Sequence, residues 1–362
     1  MGIFHTHFVL PLADPDRHAG LAGRLRQIRK FERMSLPEQR VAQHLRLQRL
    51  IVHAYVTVPF YRKQFDDAGV HPSQIQPGQP IPIPVTTQDI LQNQPQSLIS
   101  AAYRQEGLCL SSSGSLSTNP NSLGNDVNGL RDKAALGIEL NAWAGYLPGD
   151  SVMMLPGAHS DLTEETSWKR RLCDNVLLRR TSVALGNLSE EDLERCRLGY
   201  EMQRPKVLYG NSTVLARFAG YLAAHGIRHR PRVVIATAEA MSDDHRSSIE
   251  SIFNIKLFMH YRNEEMGGIA AECPDHEGLH FHPWGACVEF DPVCDTPEGS
   301  VYRLLITDLL NYGQPLIRYD TGDCVTLTAQ MCSCGRWFPL ARHILCRERE
   351  AQQLHEPRVR AS

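Results

Sequence analysis

Residues 206–260 read KVLYGNSTVLARFAGYLAAHGIRHRPRVVIATAEAMSDDHRSSIESIFNIKLFMH, and their rhythm decides the fold. A short apolar run (Lys206 to Tyr209) precedes a helical segment (Ser212 to His225) that Gly226 stops. A second run (Arg232 to Ala236), a second helix (Ser242 to Phe253) and a third run (Lys256 to His260) follow. Upstream the same alternation holds, with helices over 130–146 and 189–200 around a run at 152–155. Strands that alternate with helices predict βαβ units. The expected class is α/β, a largely parallel sheet with helices on both faces.

Past Gly267 the pattern changes to strand-like pieces, Leu279 to His282, Ala286 to Phe290, Ser300 to Thr307, Leu316 to Tyr319 and Cys324 to Thr328. Pro, Gly, Asp and Asn separate them, which predicts a smaller antiparallel, barrel-like part. On the N-terminal side, Ser35-Leu-Pro-Glu38 is a capping box that opens a helix near 36–56, with Val41, Leu45, Ile51, Ala54 and Tyr55 at helical spacing. Between Pro72 and Pro95, six prolines in 24 residues predict an extended connector. The expected organisation is a core over 1–347, made of a lead-in (1–110), an α/β part (111–266) and an antiparallel part (267–347). Residues 348–362 read as a tail.

Of the 362 residues, 42% are apolar and 22% charged, and the net charge is -2. Such a balance supplies core material but no basic field for a nucleic-acid backbone or an anionic membrane. No apolar run approaches the ~20 residues of a membrane span, and no signal peptide is legible, so the chain reads as cytoplasmic. Ten cysteines without a secretory signal argue against disulfides. Seven of them lie beyond residue 270, which brings metal binding into view.

Three separated motifs carry chemistry. Ser111-Ser-Ser-Gly-Ser-Leu-Ser-Thr118 is a run of hydroxyls around one Gly, able to bring donors close to phosphate oxygens, although a solvated loop has the same composition. Tyr261-Arg-Asn-Glu-Glu265-Met-Gly-Gly follows an expected strand, and Pro315-Leu-Ile-Arg-Tyr-Asp-Thr-Gly-Asp323 ends another. In this order the motifs resemble those of the adenylate-forming superfamily, in its phenylacetate-CoA ligase-like branch. Ser112 to Ser117 is similar to the family's phosphate loop, Tyr261 to Glu265 to its Tyr-Gly-x-Thr-Glu, and Arg318 to Asp323 to its Arg-Tyr-Arg-Thr-Gly-Asp. Ala236 to Ser242 and His53 to Tyr61 resemble two further stretches, so the likeness is collinear over about 36–347.

The resemblance implies roles. Ser112, Ser113, Gly114 and Ser115 would meet phosphates, and Tyr261, Ala238 and Glu239 would flank adenine. Glu265 would ligate Mg²⁺, and Asp323 would accept the ribose hydroxyls of ATP. Each donor set matches its ligand: a carboxylate for two hydroxyls, a hard oxygen for Mg²⁺, an aromatic face for a purine. A turn-capping Asp and a helix N-terminal acid are the competing readings of Asp323 and Glu265.

Departures accompany the likeness. The serine loop lacks the family's second Gly and its Lys, while Glu264 and Arg262 replace the Thr and Gly of the Tyr motif. An added acid and a lost cation weaken the pull on polyphosphate, and Arg262 offsets part of that at the catalytic centre. Arg347, in Leu345-Cys-Arg347-Glu-Arg-Glu350, falls at the family's hinge, where it is expected beside the nucleotide. The sequence ends twelve residues later, so the likeness implies a truncated member without the mobile C-terminal domain. Cys273, His280, Cys332 and Cys334 form the remaining set, suited to a closed tetrahedral Zn²⁺ or to packing as small core residues.

The implied activity is ATP- and Mg²⁺-dependent activation of an aromatic carboxylic acid as its acyl adenylate. The adenylate would pass to a partner, an acyl acceptor or a reductase, in a secondary-metabolite pathway of the phenazine antibiotic type, with phenazine-1,6-dicarboxylate as the implied substrate. Two rivals remain: an inactive fold that binds an aryl acid or nucleotide, and a CoA ligase completed by another polypeptide. Trp143, Trp168, Tyr209, Phe218 and Tyr221 are the candidate pocket aromatics.

Overall fold

The capping box read at Ser35 is made: its backbone N–H donates to Glu38 Oε2 at 2.8 Å and its hydroxyl at 2.7 Å. It separates helix α1 (Leu21–Glu32) from α2 (Leu36–Thr57), and α3 (Pro59–Asp67) follows. In α2 the buried residues Leu47, Leu50, Ile51 and Ala54 recur at the spacing of one helical face. Val41 and Leu45, expected on that face, are instead 58% and 46% exposed. Their own stripe, continued by Val52 and Val56, lies on the opposite side of the helix.

The computed structural model describes residues 2–104, 109–113, 121–155, 173–183, 188–237, 241–263, 265–296, 299–328 and 330–345. Contacts divide the chain into two units. The first is Met1–Gln27, Ser113–Pro120 and Lys133–His276, and the second is Ile28–Ser112, Asn121–Asp132 and Glu277–Ser362. A two-stranded ribbon of β1 (Cys109–Ser113) and β2 (Asn121–Asn125) precedes helix α4 (Val127–Trp143). Strand β2 stands between the serine run and helix α4.

The first unit contains β3 (Val152–Leu155), β4 (Arg180–Ser182), β5 (Val207–Asn211), β6 (Val233–Thr237), β7 (Leu257–Asn263) and β8 (Gly267–Glu272). The order is β4-β3-β5-β6-β7-β8, parallel up to β7, with β8 returning antiparallel. Helices α5 (Glu190–Gln203), α6 (Ser212–Ala224) and α7 (Asp243–Phe253) connect the strands as βαβ units. Side chains cap all three: Ser189 accepts from Asp192 N–H, Asn211 from Thr213 and Val214, and Ser242 from His245. Val152, Val207, Val233 and Ile235 pack with Ala144 in one core cluster. At the end of β5, a Cβ on Gly210 would stand 2.2 Å from the Leu155 carbonyl oxygen, so only glycine lets the two strands approach there.

The second unit carries an antiparallel sheet in the order β10-β11-β12-β13-β9. Its strands are β9 (Leu279–Phe281), β10 (Ala286–Thr296), β11 (Gly299–Asp308), β12 (Tyr319–Leu327) and β13 (Leu340–Leu345). The proline-rich connector is mostly extended, broken by short helical turns such as Gln88–Asn93. It works as a strap: Thr86 bridges to Tyr319, its N–H donating to the Arg318 carbonyl at 3.0 Å and its carbonyl accepting from Asp320 at 2.9 Å. Fully buried Tyr61 donates its hydroxyl to the Pro315 carbonyl and accepts from Ile317 N–H, each at 3.0 Å. Tyr61→Phe is expected to cost about 2 kcal/mol, because it leaves the Ile317 N–H buried and unpaired; a denaturant titration measures it, and an unchanged midpoint contradicts the anchor.

Among the described residues, no helix is long and apolar enough to cross a membrane.

Candidate functional site

The carboxyl ends of the parallel strands are where open α/β sheets bind ligands. In the first unit, Asn211, Thr237 and His260 stand abreast there in register across β5, β6 and β7. β7 runs three residues further, through Tyr261, Arg262 and Asn263, before the chain turns into β8. The ladder shifts register between Tyr261 and Arg262, a bulge that ends regular pairing where the motif begins. Asn263 Oδ1 accepts from Met266 N–H at 2.8 Å, and Gly267 takes the left-handed φ of 78° that the turn requires.

Glu265 sits half-buried in this turn, and Lys133 on α4 donates its Nζ to the Glu265 carbonyl oxygen at 2.9 Å. A cation thus stands at the turn that bears the expected Mg²⁺ ligand. The sequence reading missed Lys133, since nothing local connects residues 132 positions apart. Tyr261 is buried and Arg262 exposed, in line with strand alternation.

His260 is also buried, with its ring 6.2 Å from that of Tyr209 in an edge-on arrangement. Burial, with the Arg262 cation second, pushes its pKa down to about 3. Burial pushes the Tyr209 phenol up, while neighbouring Arg262 pulls it down. His260 is therefore neutral in the fold but titrates near 6.5 once exposed, so stability is lost as pH falls from 6.5 toward 3. His260→Gln is expected to flatten the stability profile across that window, as followed by chemical denaturation at a series of pH values; an unchanged slope contradicts it.

In the second unit, Asp323 lies on β12 inside a bulge. Leu305 pairs with Asp320 and Arg303 with Cys324, so Thr321, Gly322 and Asp323 face the single residue Leu304. The Thr321 hydroxyl donates to the Leu304 carbonyl at 3.1 Å and accepts from Asp323 N–H at 3.2 Å, while Gly322 has φ 76°. A bulge of this kind takes the Asp323 side chain out of the ladder's alternation and leaves it half-buried. The preceding Arg318, also left-handed at φ 49°, pairs with Glu289 at 3.0 Å and donates to the Ile83 carbonyl at 2.5 Å. Arg318 is thus held by structure.

The same unit gathers His280, Cys332 and Cys334, with potential ligand atoms within 4.8 Å of one another. Cys334 Sγ lies 3.4 Å from His280 Nε2 and accepts from Arg336 N–H at 3.4 Å. Gly335, at φ 76°, makes the tight turn that brings the two cysteines round. Neither Cys332 nor Cys334 is in a disulfide. Cys273, buried and not in a disulfide, directly follows β8 in the first unit.

Ser112 and Ser113 fall in β1, with no described side chains. Gly114, Ser115, Ala238, Glu239 and Arg347 lie outside the described residues, as does Trp168. Of the other candidate aromatics, Trp143 and Phe218 are buried in the core of the first unit. Tyr221 donates to Glu194 Oε2 at 3.1 Å, so it supports a helix pair.

No family model matches the chain. A phenylacetate-coenzyme A ligase of Thermus thermophilus is 28% identical over 321 residues, covering 85% of this chain and 70% of that protein. A phenylacetate-coenzyme A ligase of Pseudomonas putida is 27% identical over 318 residues, covering 82% and 68%. Among solved structures, 2-hydroxyisobutyryl-CoA ligase in its postadenylation state, in complex with R3-HIB-AMP, matches with a TM-score of 0.71 at 19% identity. The match covers 88% of this chain and 70% of that one. The fold is that of such ligases, and the relatives support an adenylate-forming ligase family.

Proposed function

We propose that the chain activates a carboxylic acid as its acyl adenylate at the expense of ATP. The observation that carries this reading is the likeness to phenylacetate-coenzyme A ligases along 85% of the chain, with Tyr261 and Glu265 just past the carboxyl end of β7. In this reading the substrate carboxylate attacks the α-phosphorus of ATP and pyrophosphate leaves, so the protein's part is positioning and charge stabilisation. Tyr261 stacks on adenine, Asp323 accepts the ribose hydroxyls, and Glu265 offers a hard oxygen to Mg²⁺. Bound Mg²⁺ offsets the negative charge of the phosphates. Lys133 fixes the Glu265 turn and supplies, with Arg262, the positive charge that the serine loop lacks.

We propose an aromatic acid as the substrate, phenazine-1,6-dicarboxylate being the specific candidate, and a partner acyl acceptor or reductase as the consumer of the adenylate. Acid-dependent exchange of labelled pyrophosphate into ATP, run over a panel of aryl and aliphatic acids, tests the reading. Incorporation only with aliphatic acids overturns the aromatic part. A scaffold that binds without turnover has one feature in its favour, the absence of any Lys or Arg from Ser111 to Asn125. Thioester formation from CoA, appearing only when a second polypeptide is added, would favour a ligase assembled from two chains.

The thiol and imidazole donors at His280, Cys332 and Cys334 suit Zn²⁺, and a thiolate is what the Arg336 N–H would stabilise. We propose a structural Zn²⁺ there, with Cys273, seven positions before His280 in the sequence, as the fourth ligand. Elemental analysis is expected to give about one equivalent of zinc, and Cys334→Ser to lower both occupancy and melting temperature. Less than about half an equivalent removes the idea.

A further inference from the structure

Two of the three arginines of helix α2, Arg46 and Arg49, stand together, and none of the sequence motifs includes them. Arg46 lays its guanidinium over the ring of Trp284, 4.0 Å from the centroid. Its Nε is buried and meets no hydrogen-bond acceptor among the described residues, and neither does the buried Nε1 of Trp284. Desolvation draws the Arg46 pKa below the usual value, while Asp132, Tyr312 and Asp308 raise it through space and the Arg49 cation lowers it. A guanidinium held this way, stacked on one face and without a bonded anion, is a costly group to maintain. Stacking leaves its N–H edge free for a two-oxygen acceptor.

Arg46 lines a cavity of about 330 Å³ together with Arg49, Tyr103, Asp126, Asp132 and Tyr312, among others. Of its two carboxylates, Asp126 is committed elsewhere: Oδ1 accepts from Gly129 N–H at 2.9 Å, and Oδ2 from Tyr312 and Gly313 N–H at 2.7 and 3.3 Å. Both carboxylates keep their negative charge beside the two arginines, Asp132 acting on Arg46 through space. A second cavity of about 460 Å³ shares Arg49 and continues along the next turns of α2 past Val52, His53 and Val56. Val52 and Val56 are 44% and 57% exposed. The rings of His53 and Tyr312 meet edge to face at 5.2 Å, and those of His53 and Tyr103 at 6.0 Å. Arg49 thus lines both cavities, the first holding two arginines against two aspartates and the second mostly apolar.

We propose that the two cavities act as one groove around Arg49 and bind an organic oxyanion with a short apolar body, its carboxylate or phosphate monoester at the unbonded Arg46 guanidinium and Arg49 and its body along Val52 and Val56. The inference is independent of the adenylation reading. It is tested by calorimetric titration of the full chain with hexanoate, phenyl phosphate, inorganic phosphate and hexylammonium. Hexanoate or phenyl phosphate is expected to bind roughly tenfold more tightly than inorganic phosphate, the tighter of the two naming the headgroup. Arg46→Gln and Arg49→Ala are each expected to weaken that binding by roughly tenfold or more. Arg49 is exposed, so its variant reports even if Arg46→Gln fails to fold. Absence of binding by both organic anions, equal affinity for inorganic phosphate or hexylammonium, or unchanged affinity in Arg49→Ala overturns the proposal.

Discussion

Asp323→Ala is expected to abolish detectable ATP binding. The bulge that presents Asp323 is built from backbone and from Thr321, whose hydroxyl bonds Leu304 and the Asp323 N–H. These contacts are made by backbone and by Thr321 and not by the Asp323 carboxylate, and thermal unfolding of the variant separates loss of the ribose acceptor from loss of structure. Two hydrogen bonds from ribose hydroxyls to a carboxylate are each worth roughly 1.5–3 kcal/mol, and their joint loss weakens binding by roughly 10² to 10⁴-fold. Equilibrium dialysis with labelled ATP reads this directly. Retained binding with an unchanged melting temperature would assign Asp323 to the bulge alone.

Glu265→Gln is expected to act on turnover more than on nucleotide affinity. The amide keeps the side chain's size, and the Lys133 bond goes to the backbone carbonyl, so the turn survives. What is lost is a charged oxygen for Mg²⁺ and, with it, stabilisation of the departing pyrophosphate. A loss of roughly 10² to 10³-fold in pyrophosphate exchange is the expected scale, with a raised Mg²⁺ requirement. A variant that exchanges at the parental rate and the parental Mg²⁺ concentration removes Glu265 from the reaction.

The parallel part of the fold was legible because its signals are local. Ser189 and Ser242 cap the helices they precede, and the runs at 206–209 and 232–236 became β5 and β6 with small boundary shifts. Features that depend on distant partners were not legible. The Tyr61 anchor on Ile317 spans 256 positions, and the Lys133 contact with Glu265 spans 132. The bulge at Thr321–Asp323 exists only relative to the register of β11, which no single strand encodes. Helix α2 misled in another way: its sequence has two apolar stripes, and only packing decides that Leu47, Leu50, Ile51 and Ala54 go inward while Val41 and Leu45 face out.

The most direct measurement is pyrophosphate exchange by the purified chain with ATP, Mg²⁺ and one carboxylic acid at a time, in the absence of CoA. Adenylation predicts label entering ATP with at least one aromatic acid and none when the acid is omitted. Nucleotide that binds yet never exchanges, whatever acid is supplied, would contradict it and leave a binding scaffold in its place.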